Sequence, residues 1–102
     1  MKQNKLFTTL GLARRAGKLT NGFDMVCDAL GSTLLILLSS EVSDRTRRAV
    51  ERKATAANTP CVTLDATLEE LGSALGTKPV GVIGIIDAGF ARLIETELQH
   101  KI

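Results

Sequence analysis

Residues 11–22, GLARRAGKLTNG, are the segment that comes nearest to a known phosphate-binding motif. A phosphate-binding loop of a nucleotide enzyme reads G-x-x-x-x-G-K followed by serine or threonine, and it lies between a strand and a helix. Here five residues, not four, separate Gly11 from Gly17, and Lys18 is followed by Leu19 instead of a hydroxyl residue that would hold magnesium. The apolar residues before Gly11 also recur at helical spacing. We therefore interpret this segment as a helix end followed by a turn.

Other side chains that catalyse reactions or bind metals are too few or too scattered. Cys27 and Cys61 form no C-x-x-C pair, and His100 is the one histidine of the chain, so a zinc site would lack ligands. Both cysteines are expected to be small buried residues, and His100 is expected at a solvated chain end. Glu69 and Glu70 are explained by the dipole of a helix that starts there. We predict no catalytic residue, no metal site and no cofactor.

Length and composition favour one small soluble domain. The chain has 102 residues, of which 44% are apolar and 24% charged, and this suits one core in one domain over residues 1–102. The longest apolar run, residues 34–38, is far shorter than the ~18 residues of a membrane span, and the first residues lack the pattern of a signal peptide. We predict a cytoplasmic monomer without a membrane-spanning segment.

The charges are segregated along the chain, although the formal net charge is only +2. Residues 1–23 contain five cations and no acid, and residues 45–53 contain five more cations beside Glu51 alone. These cations are Lys2, Lys5, Arg14, Arg15, Lys18, Arg45, Arg47, Arg48, Arg52 and Lys53. Such segregation can give a nearly neutral protein a basic face that attracts nucleic acid. The alternative, that these cations only solubilise helix surfaces, stays open.

Hydrophobic spacing and turn residues predict alternating helices and strands. Helices are predicted over residues 3–16, from about 22 to 30, over 43–57, over 67–75 and after Asp87. Strands are predicted over residues 18–20, 33–38, 61–64 and 80–86. Alternation of this kind predicts an α/β fold in which helices cover both faces of a small sheet, a three-layer sandwich.

Several helix ends are predicted from particular residues. Gly17 is expected to close the first helix in the left-handed conformation. Thr20 or Asn21 is expected to cap the second helix, with Asp24 completing a variant capping box. The expected buried stripe of that helix is Met25, Val26, Ala29 and Leu30. The other expected caps are Ser43, Thr67 with Glu70, and Asp87, with Gly76 ending the fourth helix.

Three loops are candidates for a binding site. Ligands of sandwiches with a central sheet gather where loops leave one end of the sheet. In the predicted order of elements, residues 17–24, 39–41 and 77–80 can meet there. The sequence therefore predicts a site that these three segments share.

Four segments, GLARRAGKLTNG, LLILLSS, ELGSALG and VGVIGIIDAGFA, follow one another over almost the whole chain. In this order they resemble the kink-turn RNA-binding ribosomal protein family, which includes large-subunit seven-A and thirty-type proteins and their small bacterial relatives. The similarity is greatest to the thirty-type and bacterial members. The resemblance implies a non-catalytic protein with a mixed four-stranded sheet in an alpha-beta-alpha sandwich. It also implies binding to RNA that bends sharply around tandem sheared G·A pairs.

The resemblance places the RNA contacts on the second helix, the loop after the next strand, and a late apolar loop. The implied contact residues, together with the basic residues beside them, are Arg14, Arg15, Lys18, Thr20, Asn21, Gly22, Phe23, Asp24, Ser40, Glu41, Thr77, Lys78, Pro79 and Val80. Structured RNA, including ribosomal RNA, and ribosomal proteins are the implied partners. Most of these contacts also have a structural explanation, such as a helix end, a cap or a polar turn.

The second helix departs from the family pattern, which is roughly Gly-x-Asn-Glu-x-x-Lys. Gly22 matches, but Asp24 stands where asparagine is usual, Met25 where glutamate is usual and Asp28 where lysine is usual. The two aspartates add negative charge beside a phosphate backbone, which opposes binding. Two hypotheses follow: a kink-turn RNA-binding protein, or a protein-interaction module on the same fold that has lost specific RNA binding.

Overall fold

The computed structural model describes residues 4–99, so the interpretation of His100 lies outside the described residues. The elements are α1 (Asn4–Arg15), β1 (Leu19–Asn21), α2 (Phe23–Asp28), a 3-10 turn (Leu30–Ser32), β2 (Leu35–Ser39), α3 (Asp44–Ala57), β3 (Cys61–Leu64), α4 (Leu68–Leu75), β4 (Val82–Ile85) and α5 (Ala88–Gln99). The predicted alternation of helices and strands is confirmed.

The four strands form one mixed sheet in the order β1-β4-β2-β3. Strands β2 and β3 are parallel, and β4 is antiparallel to both β1 and β2. The two central strands, β2 and β4, are buried along their whole length, as their continuous apolar sequences predict. The predicted mixed four-stranded sheet is therefore confirmed.

Helices cover both faces of the sheet with separate cores. The larger core joins the sheet to α1, α4 and α5, and its fully buried centre includes Leu10, Leu37 and Ile83. The smaller core joins the sheet to α2 and α3 through Val26, Val50 and neighbouring residues. Because successive residues of a strand face opposite sides, Leu37 belongs to the first core and Ile36 and Leu38 to the second. The three-layer sandwich is confirmed.

Most of the predicted helix ends are also confirmed. The Thr46 N–H donates to the Ser43 side chain at 3.1 Å, and the Phe90 N–H donates to Asp87 Oδ2 at 3.0 Å. Thr67 and Glu70 form the reciprocal capping box of α4. Gly17 and Gly76 have φ angles of 71° and 78° after their helices. These local signals fix where the loops of the site begin.

The prediction for α2 is wrong in its cap and its buried face. Gly22, which offers no side chain, is the N-cap, since Thr20 and Asn21 are in β1 and pair with β4. The helix ends at Asp28, before two residues of the expected stripe. Met25 is 58% exposed, and Val26 is the one fully buried residue of α2. Pairing with a distant strand thus moves the helix start by one to two residues.

The cysteines are half-buried free thiols instead of fully buried residues. Within residues 4–99, no helix is long and apolar enough to cross a membrane. In the same range, His, Cys, Asp and Glu side chains nowhere gather in threes as a metal site requires.

Candidate functional site

The three predicted loops leave the sheet at the same end. The Gly22 N–H donates to the Val82 carbonyl at 2.8 Å, which ties the end of β1 to the start of β4. The Ser39 N–H donates to the Gly81 carbonyl at 2.9 Å, which ties the end of β2 to the same place. The end of β1, the end of β2 and the start of β4 therefore form one edge.

An open groove of about 340 Å³ lies at this edge, and we call it the loop groove. Its lining residues are Gly22, Phe23, Glu41, Val42, Ser43, Thr46, Leu68, Pro79, Val80, Gly81 and Val82. All three predicted segments contribute, so the prediction that they meet is confirmed. The lining residues that sequence reasoning did not assign to the site are Val42, Ser43, Thr46, Leu68, Gly81 and Val82. Two of these positions had a signal in the sequence: Val42 lies at the end of the polar loop before Ser43, and Leu68 directly follows the Thr67 cap.

The loop after β2 is fastened to the start of α4. The buried Ser39 hydroxyl donates to the Ala66 carbonyl at 2.7 Å and accepts from the Glu41 N–H at 2.9 Å. Ser40 is exposed, and its N–H and hydroxyl both reach the same Ala66 carbonyl. The Leu68 N–H donates to Glu41 Oε1 at 3.0 Å. Both predicted contact residues thus hold one wall of the loop groove in place, whatever else they bind.

The loop of residues 77–80 is held against α4 by a close approach of two backbones. A Cβ atom added at Gly72 would lie 2.4 Å from the Lys78 carbonyl oxygen, so only glycine fits there. The Val80 N–H donates to the Leu68 carbonyl at 3.1 Å, and the Thr77 N–H donates to the Gly72 carbonyl at 2.8 Å. Lys78 and Pro79 remain exposed. This loop is therefore a rigid second wall of the groove.

Gly22 supplies a backbone conformation that other residues rarely adopt. Its φ and ψ angles are 97° and 147°, a region populated almost only by glycine. Its carbonyl accepts the first α2 hydrogen bond, from the Val26 N–H at 3.0 Å. Since Gly22 has no side chain to cap the first-turn N–H groups, these groups are left for solvent or a ligand.

We expect Gly22→Ala to lower the free energy of unfolding by about 1–2 kcal/mol, because the added Cβ disfavours this backbone conformation. Apart from Gly22 and its two chain neighbours, no residue has an atom within 4 Å of that Cβ, so the effect would come from the local backbone alone. Denaturant unfolding measures it. Gly17→Asn is the matched control, because asparagine tolerates the left-handed end of α1. Equal stability of the Gly22→Ala variant and the native protein would contradict the assigned conformation.

Two predicted contacts of β1 are only partly accessible. The Thr20 hydroxyl is buried without a hydrogen-bond partner, and it lies 3.0 Å from where a Cβ of Gly84 would be. The hydroxyl lies between the sheet and α2, since Val26 Cγ1 approaches the same added Cβ to 3.2 Å, and contact of Thr20 with RNA stays a prediction. Asn21 is half-buried. Phe23, at the start of α2, is 37% exposed and lines the groove.

The basic residues at the end of α1 do not line the loop groove. Arg14, Arg15 and Lys18 are all exposed. The Ile86 N–H donates to the Lys18 carbonyl at 3.0 Å, so Lys18 lies beside the far end of β4. The three steps from Lys18 to Asn21 in extended backbone measure about 10 Å. These cations therefore flank the site from the opposite end of β1.

The surface of α2 beside the groove is acidic and apolar. Asp24, Met25 and Asp28 are all exposed. Asp24 is in the first turn, where its charge suits the helix dipole. The structure thus places the three departures from the family pattern together on the outer surface of α2.

Comparison with known proteins identifies the family of this fold. The model of the ribosomal protein L7Ae/L30e/S12e/Gadd45 family matches residues 4–95. A relative from Enterococcus faecium, named RNA-binding protein YlxQ, is 30% identical over 92 residues, which cover 88% of this chain and 87% of the relative.

Two solved structures share the architecture. A protein of unknown function from Bacillus halodurans is 32% identical, with a TM-score of 0.88 over 94% of this chain and 98% of its own. The 15.5kD RNA binding protein of Giardia lamblia has a TM-score of 0.77 over 96% of this chain and 85% of its own. Its 12% identity makes this a likeness of fold alone.

Proposed function

The chain belongs to the ribosomal protein L7Ae/L30e/S12e/Gadd45 family, and from this premise we propose that it is a non-catalytic protein that binds structured, kink-turn-like RNA at the loop groove. The observation that carries the proposal is the meeting of the three predicted loops in that groove. The name of the Enterococcus faecium relative supports RNA as the partner. We propose that the bound RNA is a segment of ribosomal RNA, where ribosomal proteins would be its neighbours.

The apolar surface of the groove suits an unstacked base that is turned out of an RNA helix. Val42, Leu68 and Val82 give the groove apolar surface, and Phe23 adds an aromatic ring at its edge. Sequence-specific RNA recognition favours unstacked bases that pack on such surfaces. A groove of about 340 Å³ has room for one planar base. We therefore assign the base contact to this apolar surface.

Polar groups around the groove suit the RNA backbone. The first-turn N–H groups of α2 have no side-chain cap at Gly22, so they can donate hydrogen bonds to the RNA. Lys78 is an exposed cation on the wall formed by the 77–80 loop. Arg14, Arg15 and Lys18 add positive charge at the opposite end of β1, within reach of an RNA that extends beyond the groove. These groups would position the RNA without reading its sequence.

The proposal predicts tight, salt-sensitive binding to a kink-turn RNA. Fluorescence anisotropy of a labelled kink-turn RNA would measure the affinity between about 50 and about 200 mM salt. The logarithm of the affinity should fall by about 0.7–0.9 per neutralised phosphate for each tenfold rise in salt. The control RNA has Watson–Crick pairs in place of its tandem G·A pairs. Equally weak binding to both RNAs would contradict kink-turn recognition.

The outer surface of α2 favours a second candidate, a protein-interaction module. Met25 is 58% exposed between two exposed aspartates, Asp24 and Asp28, where the family pattern has residues that suit RNA. An exposed apolar residue among acids fits a protein surface better than a phosphate backbone. The anisotropy experiment separates the candidates, since this module would bind both RNAs weakly and alike.

A further inference from the structure

Helix α3 carries a second charged surface that the groove does not use. The outward surface of this helix presents Arg45, Arg48 and Arg52, at spacings of three and four residues. All three are exposed, whereas Val50 and Ala54 on the other side of the helix are buried. The spacing puts the arginines in one row about 10 Å long over two helical turns. We call this row the arginine row.

The acids of α3 offset only part of the positive charge of the arginine row. Asp44 forms an ion pair with Arg47, which is not in the row. Glu51 is exposed and lines a shallow surface cleft with Arg48 and Arg52, so its carboxylate offsets part of the charge of the row. Within residues 4–99 no ion pair forms to Arg45, Arg48 or Arg52. The row is therefore free to receive an anion from outside.

The helix that carries the arginine row lies beside the loop groove and α2. Ser43 and Thr46, at the start of α3, line the groove, and Arg45 lies between them in sequence. Burial raises the pKa of the Cys27 thiol, Lys53 opposes this, and Asp24 and Asp28 add to it. Lys53 of α3 is thus close to α2, so the helix that carries the arginine row also places a cation beside the acidic surface of α2.

We propose that the arginine row of α3 binds the phosphate backbone of the duplex that extends from an RNA held in the loop groove. This inference rests on the proposed function, and it names a contact surface outside the groove. Arginine suits the role because its planar fork forms paired hydrogen bonds with phosphate. The contact is to the backbone and adds affinity without reading sequence.

The test is the salt dependence of binding to a labelled kink-turn RNA whose duplex arms each span a full helical turn. Arg48→Gln with Arg52→Gln should lower the steepness of log affinity against log salt by about 1.4–1.8, because two phosphate contacts are lost. Lys5→Gln with Arg92→Gln removes the same charge from exposed sites on α1 and α5 and should leave the slope nearly unchanged. The double variant Arg48→Lys, Arg52→Lys should keep most of the native slope.

The outcomes separate this inference from the proposed function. If the native protein binds tightly and both double glutamine variants have the same slope, the arginine row does not bind the RNA. The proposal that RNA binds in the loop groove would be unaffected. An RNA with its arms cut back to the kink should bind the native protein and the Arg48→Gln, Arg52→Gln variant alike. If the two proteins still differ in affinity for this short RNA, the arginine row does not contact the duplex arms. If the native protein binds neither RNA, both proposals fail together, and an acidic protein becomes the partner to seek.

Discussion

Gly72→Ala is expected to destabilise the protein by about 3 kcal/mol and to lower the midpoint of thermal unfolding by more than about 10 °C. The added Cβ would lie 2.4 Å from the Lys78 carbonyl oxygen and 2.8 Å from Pro79 Cα. Both neighbours are backbone atoms, so no side-chain rotation relieves the contact. Either α4 or the 77–80 loop must move, and both are attached to the core through Leu71 and Val80.

The matched control for this prediction is Gly31→Ala. Gly31 is exposed, and a Cβ there has no neighbour within 4 Å, so stability should change by less than about 0.5 kcal/mol. Circular dichroism during heating measures both variants. A Gly72→Ala protein that melts with the native chain would contradict the close approach of the two backbones.

The same substitution also tests the groove. Where Gly72→Ala remains folded, hydrogen exchange should be faster at the Val80 N–H, because its bond to the Leu68 carbonyl belongs to the displaced loop. Affinity for kink-turn RNA should fall in that folded fraction, since the loop forms one wall of the loop groove. Unchanged affinity with a displaced loop would remove the 77–80 segment from the proposed site.

Local signals in the sequence were sufficient for most of the fold. Ser43, Asp87 and the pair Thr67 and Glu70 predicted three helix starts because each cap acts within its own turn. The continuous apolar run that became β2 predicted a strand buried on both faces. Alternation of elements then restricted the architecture to a layered sandwich. These features depend on interactions between residues that are near one another in sequence.

Features that depend on distant contacts were missed. Pairing of β1 with β4 moved the cap of α2 to Gly22 and buried the Thr20 hydroxyl. The contact of Glu41 with the Leu68 N–H joins residues 27 apart, and no local pattern predicts it. The site was therefore predictable as a set of loops, whereas the inward or outward direction of each side chain was not.

Exchanging the three departures of α2 for the family pattern should strengthen binding to kink-turn RNA. We expect the triple variant Asp24→Asn, Met25→Glu, Asp28→Lys to bind about tenfold more tightly, equivalent to about 1.4 kcal/mol. Asparagine gains two donors, and lysine replaces a repelled charge with an attracted one. All three side chains are exposed, so the fold should tolerate the exchange. Anisotropy at several salt concentrations measures the gain, with a slope steeper by about one phosphate.

Glu95→Lys is the charge-matched control for the triple variant. It changes the net charge by +2, as the triple variant does, but it lies on the exposed surface of α5. An equal gain in both variants would mean that overall charge, not the surface of α2, governs affinity. No gain in the triple variant, with tight native binding, would mean that RNA avoids α2 and leave the arginine row as its neighbouring contact. Binding by the triple variant alone would favour the protein-interaction module, because the scaffold would then accept RNA that the native α2 surface rejects.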